Sequence, residues 1–379
     1  MGMMGLKVVI LTTCTGEGHN TASSAIAEAF RDMNWDVFII DIFAKFSPRV
    51  GKFISRAYDS CTTKNPAFFG KLYQVGVKTS IPNRKSIVYH FSSVYAGRVY
   101  EELKRINADA VICPHIFCAQ AVTKIIRKYG LDIPTMGVIT DYAWSPYWEE
   151  TLLNMYVIAD QDISHEFIKR GMKKESLYPL GIPIHKKFIS PAKDICEAKA
   201  NLGLDPDKRH YLVMGGSMGF GDYEGLISAL VAKDATANIT ALCGNNRNLQ
   251  DSLKSKGFGE NVKIFGFADN VDELMDSADV LITKPGGLST TEAVNKQVPM
   301  VLTSPIPGSE APNIEYYVSR GMALYADTSS KAAEYAYNVV NDEQLRKSII
   351  QAQKTYAKPN ASKRIAELVA LEARVARGN

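Results

Sequence analysis

Short apolar, β-branched runs alternate along the chain with longer segments in which apolar positions recur every three or four residues. Apolar runs without polar alternation predict strands buried on both faces, and the longer periodic segments predict amphipathic helices laid over them, so the rhythm is that of βαβ units and parallel sheets. In the first half the expected strands are VVILTT (8–13), DVFIID (36–41), DAVICP (109–114), PTMGVIT (134–140) and NMYVIA (154–159), each buried on both sides. In the second half HYLVMGG (210–216), ITALCG (239–244), VKIFGF (262–267), DVLIT (279–283), PMVLT (299–303) and MALYA (322–326) repeat the pattern. Two similar sheets predict two similar α/β domains. Between them GIPIHKKFISPAKD (181–194) interrupts both periods with Gly181, Pro183 and Pro191, which places the boundary near 190. The expected organisation is a first domain over 1–190 carrying an insert at 45–100, a second over 191–345, and helices over 346–379, broken at Lys358-Pro359, that cross back to the first.

A chain of 379 residues exceeds one typical core and fits two. No stretch approaches the ~20 apolar residues of a spanning helix, and the opening MGMMGLKVVILTT reads as a first strand rather than a secretory signal, so a cytoplasmic location is expected. The cysteines at 14, 61, 113, 118, 196 and 243 form no CxxC and no zinc-like spacing with histidine, which predicts free thiols. Charge changes the picture in one place. Residues 45–90 hold Lys45, Arg49, Lys52, Arg56, Lys64, Lys71, Lys78, Arg84 and Lys85 against Asp59 alone, mixed with Phe43, Phe46, Phe53, Phe68, Phe69, Leu72 and Tyr73. Either an anionic membrane surface or a solvated helical pair accounts for that mixture.

Four glycine-containing loops follow strands. Thr15-Gly16-Glu17-Gly18-His19-Asn20 leaves the first strand and precedes a helix; it is neither GxGxxG nor a Walker loop, which lowers the weight of nucleotide redox and ATP chemistry. His19 stands at the carboxyl end of a parallel strand, where open α/β sheets hold ligands. Gly215-Gly216-Ser217-Met218-Gly219-Phe220-Gly221 has the composition of a phosphate cradle. Lys284-Pro285-Gly286-Gly287 leaves a later strand, with Ser289 or Thr290 expected to cap the next helix and Glu292 expected in its first turn, where it reaches a ribose diol or closes a capping box. Pro305-Ile306-Pro307-Gly308-Ser309-Glu310 follows, and Glu310 and Asn313 offer an acceptor and an amide to sugar hydroxyls. Asp160-Gln161-Asp162 spells a DxD triplet but reads as a cap rather than a metal pair.

TGEGHN, TDY (140–142), GIPI (181–184), GGSMG, Gly266-Phe267, DELMDSADVLITKPGGLSTTEA and PIPGSE…N together resemble the monogalactosyldiacylglycerol synthase and processive diacylglycerol glucosyltransferase family, itself related to the N-acetylglucosaminyltransferase that makes lipid II of peptidoglycan. The likeness runs in order through nearly the whole chain. It implies a GT-B architecture, two Rossmann-like domains facing a cleft, and metal-free inverting transfer from a UDP-sugar bound by the second domain to an acceptor bound by the first. By carry-over Gly216, Ser217, Met218 and Gly219 with Ser289 and Thr290 hold the diphosphate, with Lys284, Gly286 and Gly287 beside them; the backbone at Phe267 reads uracil, Glu292 holds ribose, and Ser309, Glu310 and Asn313 meet the hexose. Gly16, Glu17 and Gly18 form the acceptor-side loop, and His19 matches the family's Gly-Gly-His histidine, the first candidate for general base; Asp141 orients it or replaces it. Where the family reads Pro-Gly-Gln-Glu this chain has Pro307-Gly308-Ser309-Glu310, which leaves the hexose open.

The expected function is therefore hexose transfer from a UDP-sugar to a lipid hydroxyl, that of 1,2-diacylglycerol first, on the inner face of the cell membrane, with residues 45–90 on the anionic surface. The alternatives are N-acetylglucosamine transfer to a polyprenyl-linked peptidoglycan precursor and UDP-sugar 2-epimerisation. No cofactor, metal or nucleic-acid partner is expected, and oligomeric state stays open.

Overall fold

The computed structural model describes residues 5–13, 17–49, 51–52, 66–81 and 85–378. They divide into two units: residues up to His185 together with those from Asn360 onward, and Lys186–Pro359. The division falls before the expected 190, and the tail splits: helix Glu343–Tyr356 lies in the second unit while Ala361–Ala376 lies in the first.

The first unit is built on a parallel sheet ordered β2-β1-β3-β4-β5-β6, comprising β1 (Lys7–Thr12), β2 (Asp36–Asp41), β3 (Ala110–Cys113), β4 (Thr135–Val138), β5 (Met155–Val157) and β6 (Leu177–Tyr178). β6, a two-residue edge strand, is too short to show a period and was not legible in the sequence. β1, β3 and β4 bury Val8, Ile10, Ala110, Ile112, Met136 and Val138 against helix Glu17–Asp32 and helix Ala361–Ala376, whose Ile365, Ala366, Val369, Ala370 and Ala373 make one helical stripe. The expectation that every strand is covered on both faces fails for β2: it is an edge strand, and Phe38 and Ile39 stand 36% and 41% exposed. Of the aromatics mixed with the basic segment, Phe43 and Phe46 are core, Phe43 packing among Phe91, Tyr95 and Phe117.

The second unit has a parallel sheet ordered β12-β11-β10-β7-β8-β9, comprising β7 (His210–Met214), β8 (Asn238–Leu242), β9 (Val262–Phe265), β10 (Val280–Thr283), β11 (Met300–Leu302) and β12 (Ala323–Tyr325). Tyr211, Val213, Ile239, Ala241, Val280, Ile282 and Val301 form its core with helices Tyr223–Lys233 and Ser329–Asn341.

In each sheet the strand order reverses beside the first strand, between β1 and β3 in one and between β7 and β10 in the other. Loops leaving the carboxyl ends of such a pair diverge and open a crevice, which is where doubly wound sheets receive ligands.

Candidate functional site

The first unit places His19 at its switch point. Helix Glu17–Asp32 begins earlier than the sequence pattern suggested, so Glu17, Gly18 and His19 occupy its first turn rather than a loop, with Asn20 tied to Thr12 Oγ1 at 2.7 Å. Gly16 lies outside the described residues, as do Arg56, Lys64 and Arg84 of the basic segment. His19 Nδ1 sits 3.0 Å from the carbonyl oxygen of Pro114, just past β3, and 3.3 Å from Thr140 Oγ1, just past β4. A carbonyl only accepts, so Nδ1 carries the proton and Nε2 holds the basic lone pair. Burial pushes this imidazole down to about 4, against the upward pull of the Pro114 carbonyl, so the ring is neutral at pH 7. The partner that holds this tautomer is a backbone carbonyl. Asp141 follows Thr140 and, with Glu166, adds to the burial that holds the Tyr73 phenol above its usual range.

Tyr73 belongs to helix Pro66–Thr79 in the basic segment. Its neighbours on the inward face close on the loop after β4: Gly76 approaches the Tyr147 hydroxyl, and Ser80 donates to Glu149 at 2.6 Å and accepts from Tyr147 N–H at 2.6 Å. The outward face carries Lys71 and Lys78 with Phe68 and Val75, 52% and 55% exposed. Lys45, by contrast, is paired with Glu102 at 2.7 Å, a carboxylate also held by Arg105.

The second unit gathers the glycine loop and the Lys284 turn at its own switch point. Gly216 has φ +71, and a Cβ there would lie 2.8 Å from Lys284 Cε; a Cβ on Gly286 would lie 2.7 Å from Lys284 Nζ. Only glycines let both backbones close on the lysine. Lys284 is ion-paired with Glu310, whose other oxygen accepts from Ile306 N–H at 2.8 Å, and Asn313 donates to the Pro285 carbonyl at 2.9 Å. Glu310 and Asn313 are both buried, Ser309 half-buried beside them. Ser217 and Met218 turn their carbonyls to Asn245 N–H (2.7 Å) and Asn246 Nδ2 (3.4 Å), which fixes the loop against the end of β8. Its Gly219 N–H bonds back to Gly216.

Helix Gly287–Lys296 is capped by Gly286, with no side-chain cap bond. Ser289 and Thr290 therefore lie inside the helix rather than at its cap, and Thr290 donates back to the Gly286 carbonyl at 2.6 Å. Glu292 falls in the second turn, not the first, so the capping-box alternative fails. It is buried, which pushes its carboxyl up to about 8, with Lys187 pulling down and Asp272 adding to the rise. Phe267 stands 60% exposed beyond β9. Asp160 accepts from Asp162 N–H at 2.9 Å, closing a turn rather than capping helix Ser164–Lys169. Among the described residues no group of three or more His, Cys, Asp or Glu is placed to hold a metal ion.

Sequence reasoning missed Pro114, His115 and Thr140. The signal that finds them is their place: Pro114 and His115 follow β3, which pairs with β1, and Thr140 follows β4, the next strand in the sheet.

Residues 19–184 match the family model described as monogalactosyldiacylglycerol (MGDG) synthase, and residues 210–369 match the glycosyltransferase family 28 C-terminal domain. A processive diacylglycerol beta-glucosyltransferase of Staphylococcus aureus is 28% identical over 351 residues, covering 90% of this chain and 87% of that protein. Among solved structures, MurG of Acinetobacter baumannii superposes with TM-score 0.62 at 15% identity, covering 97% of this chain and 99% of the other. Alr3699/HepE of Anabaena in complex with UDP-glucose gives 0.59 at 14% identity, covering 97% and 100%. The two structural likenesses establish the fold, which is GT-B.

Proposed function

Because the chain belongs to the family of monogalactosyldiacylglycerol synthases and processive diacylglycerol glucosyltransferases, and is a glycosyltransferase, we propose that it moves a hexose from a UDP-sugar to the hydroxyl of a diacylglycerol, inverting the anomeric carbon. The observation that carries the reading is the convergence of Gly216, Lys284, Gly286 and Glu310, which follow the carboxyl ends of β7, β10 and β11. It joins a close-approach backbone to a cation and the carboxylate paired with it.

In this reading the second unit binds the donor. The Gly216–Gly219 loop and the N-terminal turn of helix Gly287–Lys296, at Gly287 and Ser289, receive the diphosphate with the positive end of the helix dipole. Glu292 accepts from the ribose hydroxyls, the backbone at Phe267 meets uracil, and Glu310, Asn313 and Ser309 meet the hexose. The first unit supplies the base. Nε2 of His19 removes the proton of the acceptor hydroxyl as that oxygen bonds to the anomeric carbon and the bond to the diphosphate breaks. UDP leaves with its charge held by loop N–H groups, the helix terminus and Lys284, so the reaction as proposed requires no metal. Asp141 is the second candidate for base. No described helix is long and apolar enough to cross a membrane, and the outward face of helix Pro66–Thr79, basic with Phe68 and Val75 between its lysines, suits the anionic inner leaflet where a diacylglycerol resides. The names of the curated relative and of the amino-terminal family favour a diacylglycerol over a polyprenyl-linked acceptor.

Incubation with labelled UDP-glucose, UDP-galactose or UDP-N-acetylglucosamine and diacylglycerol vesicles should carry one label into the organic phase, with activity surviving EDTA. Label that stays aqueous with every donor, while UDP binds, would overturn the acceptor assignment.

A further inference from the structure

We propose that His115 is a positioning residue for His19: fixed as the N-cap of helix Ile116–Tyr129, it stands its ring perpendicular to that of His19 and shields it from water. The inference deepens the reading of His19 as base and rests on it.

The ring centroids lie 4.5 Å apart at 83°. His115 is not free to turn. Its Nδ1 accepts the Phe117 N–H at 3.1 Å, the cap bond of helix Ile116–Tyr129, so Nδ1 holds a lone pair and the ring proton sits on Nε2. The residue before it, Pro114, provides the carbonyl that orients His19 Nδ1, so one short turn after β3 both aims the base and walls it. Protonating His115 at Nδ1 would break the helix cap, and burial together with the neighbouring His19 lowers its pKa well below the ordinary value. A neutral neighbour adds no charge to repel a proton from His19, so its effect on His19 is exclusion of water. The titratable residues adjacent in the chain to those around the His19 ring are the exposed Glu17 on its own helix and Asp141, which follows Thr140 after β4.

The cap and the wall separate by substitution. His115→Asn retains an oxygen that caps the helix and removes the ring; His115→Phe retains a ring and removes the cap. In His115→Asn the His19 titration followed by NMR should move from about 4 toward 6.5, the acid limb of kcat should move up with it, and kcat at pH 7 should fall about tenfold, with UDP affinity and Tm unchanged. In His115→Phe the titration should stay near about 4 while Tm falls by about 2–4 °C. A His19 titration unmoved in His115→Asn, or moved equally in both variants, would overturn the proposal. His19→Ala tests the base reading separately: full turnover there removes the base assignment, while the NMR titration still decides whether His115 shields the ring.

Discussion

Lys284 and Glu310 form an ion pair that links the exits of β10 and β11, with Glu310 held in place by the Ile306 N–H at 2.8 Å. Lys284 also runs between the backbones of Gly216 and Gly286, so its ammonium has little room to find another counter-charge.

Glu310→Gln leaves that ammonium, 19% exposed against 7% for its partner, without its carboxylate. Partial exposure places the expected loss at about 1–3 kcal/mol, below that of a fully buried pair. Turnover should fall by about 10² because the proposed hexose contact and the alignment of Lys284 go together. Lys284→Met combined with Glu310→Leu should recover most of the stability in thermal unfolding and none of the activity. A Glu310→Gln enzyme with unaltered KM and kcat would exclude Glu310 from the hexose site.

If Glu292 holds the ribose as proposed, donor binding acquires a pH dependence whose sign is fixed. Its carboxyl, pushed up to about 8, is protonated at pH 7, whereas a ribose diol donates best to the ionised form. Binding therefore releases a proton, and UDP affinity should rise with pH, by about tenfold per unit well below pH 8 and levelling above it. Calorimetry in buffers of different ionisation enthalpy reads the proton directly. Glu292→Gln should bind more weakly above pH 8 and show no slope; an unchanged slope in that variant would assign the proton to another group.

The sequence showed which strands alternate with which helices because apolar run length and helical period are local. Eleven of the strands lie where those runs lie, and β6, with two residues, carries no pattern to find. Position in the sheet is not local, and it decided the error at β2. β2 has the same composition as an internal strand, yet the strand order puts it at the edge and exposes Phe38 and Ile39. The Lys284 and Gly216 loops were readable as glycine-rich strand exits, but that they meet depends on β10 pairing with β7 across many intervening residues. Likewise nothing near His19 in the chain announces Pro114 or His115; the pairing of β1 with β3 brings them to it.

His210 sets an acid limit on the second unit. Its ring is buried at the start of β7, with Nε2 2.9 Å from Thr240 Oγ1 and Nδ1 3.1 Å from the Ser277 carbonyl, and burial lowers its pKa to about 4. Because the folded value lies below the unfolded 6.5, the stability it contributes is complete above pH 6.5 and lost as pH falls through that value toward 4. The loss amounts to on the order of 3 kcal/mol. Urea titrations of the wild type and of His210→Leu should differ most near pH 7, where the variant lacks two hydrogen bonds, and converge as pH drops to 4. Parallel curves would mean that His210 does not titrate on unfolding.

The proposed membrane-facing role of helix Pro66–Thr79 is tested on its outward face. Phe68, Lys71, Val75 and Lys78 recur at helical spacing there, while Tyr73 and Gly76 turn inward. Each lysine near an anionic surface contributes about 1 kcal/mol, so Lys71→Gln with Lys78→Gln should weaken partition onto phosphatidylglycerol vesicles by about 30-fold at low salt, and less as salt rises. Val75→Ser should weaken it by a salt-independent factor, since its share is apolar burial. UDP affinity, assigned to the second unit in the proposed function, should not change. Unaltered partition in the double lysine variant would reduce this face to a solvated surface. Lys45→Gln separates composition from geometry: its ammonium is committed to Glu102, so a surface defined by counting cations between 45 and 90 loses affinity with it, and one defined by the outward face of this helix does not.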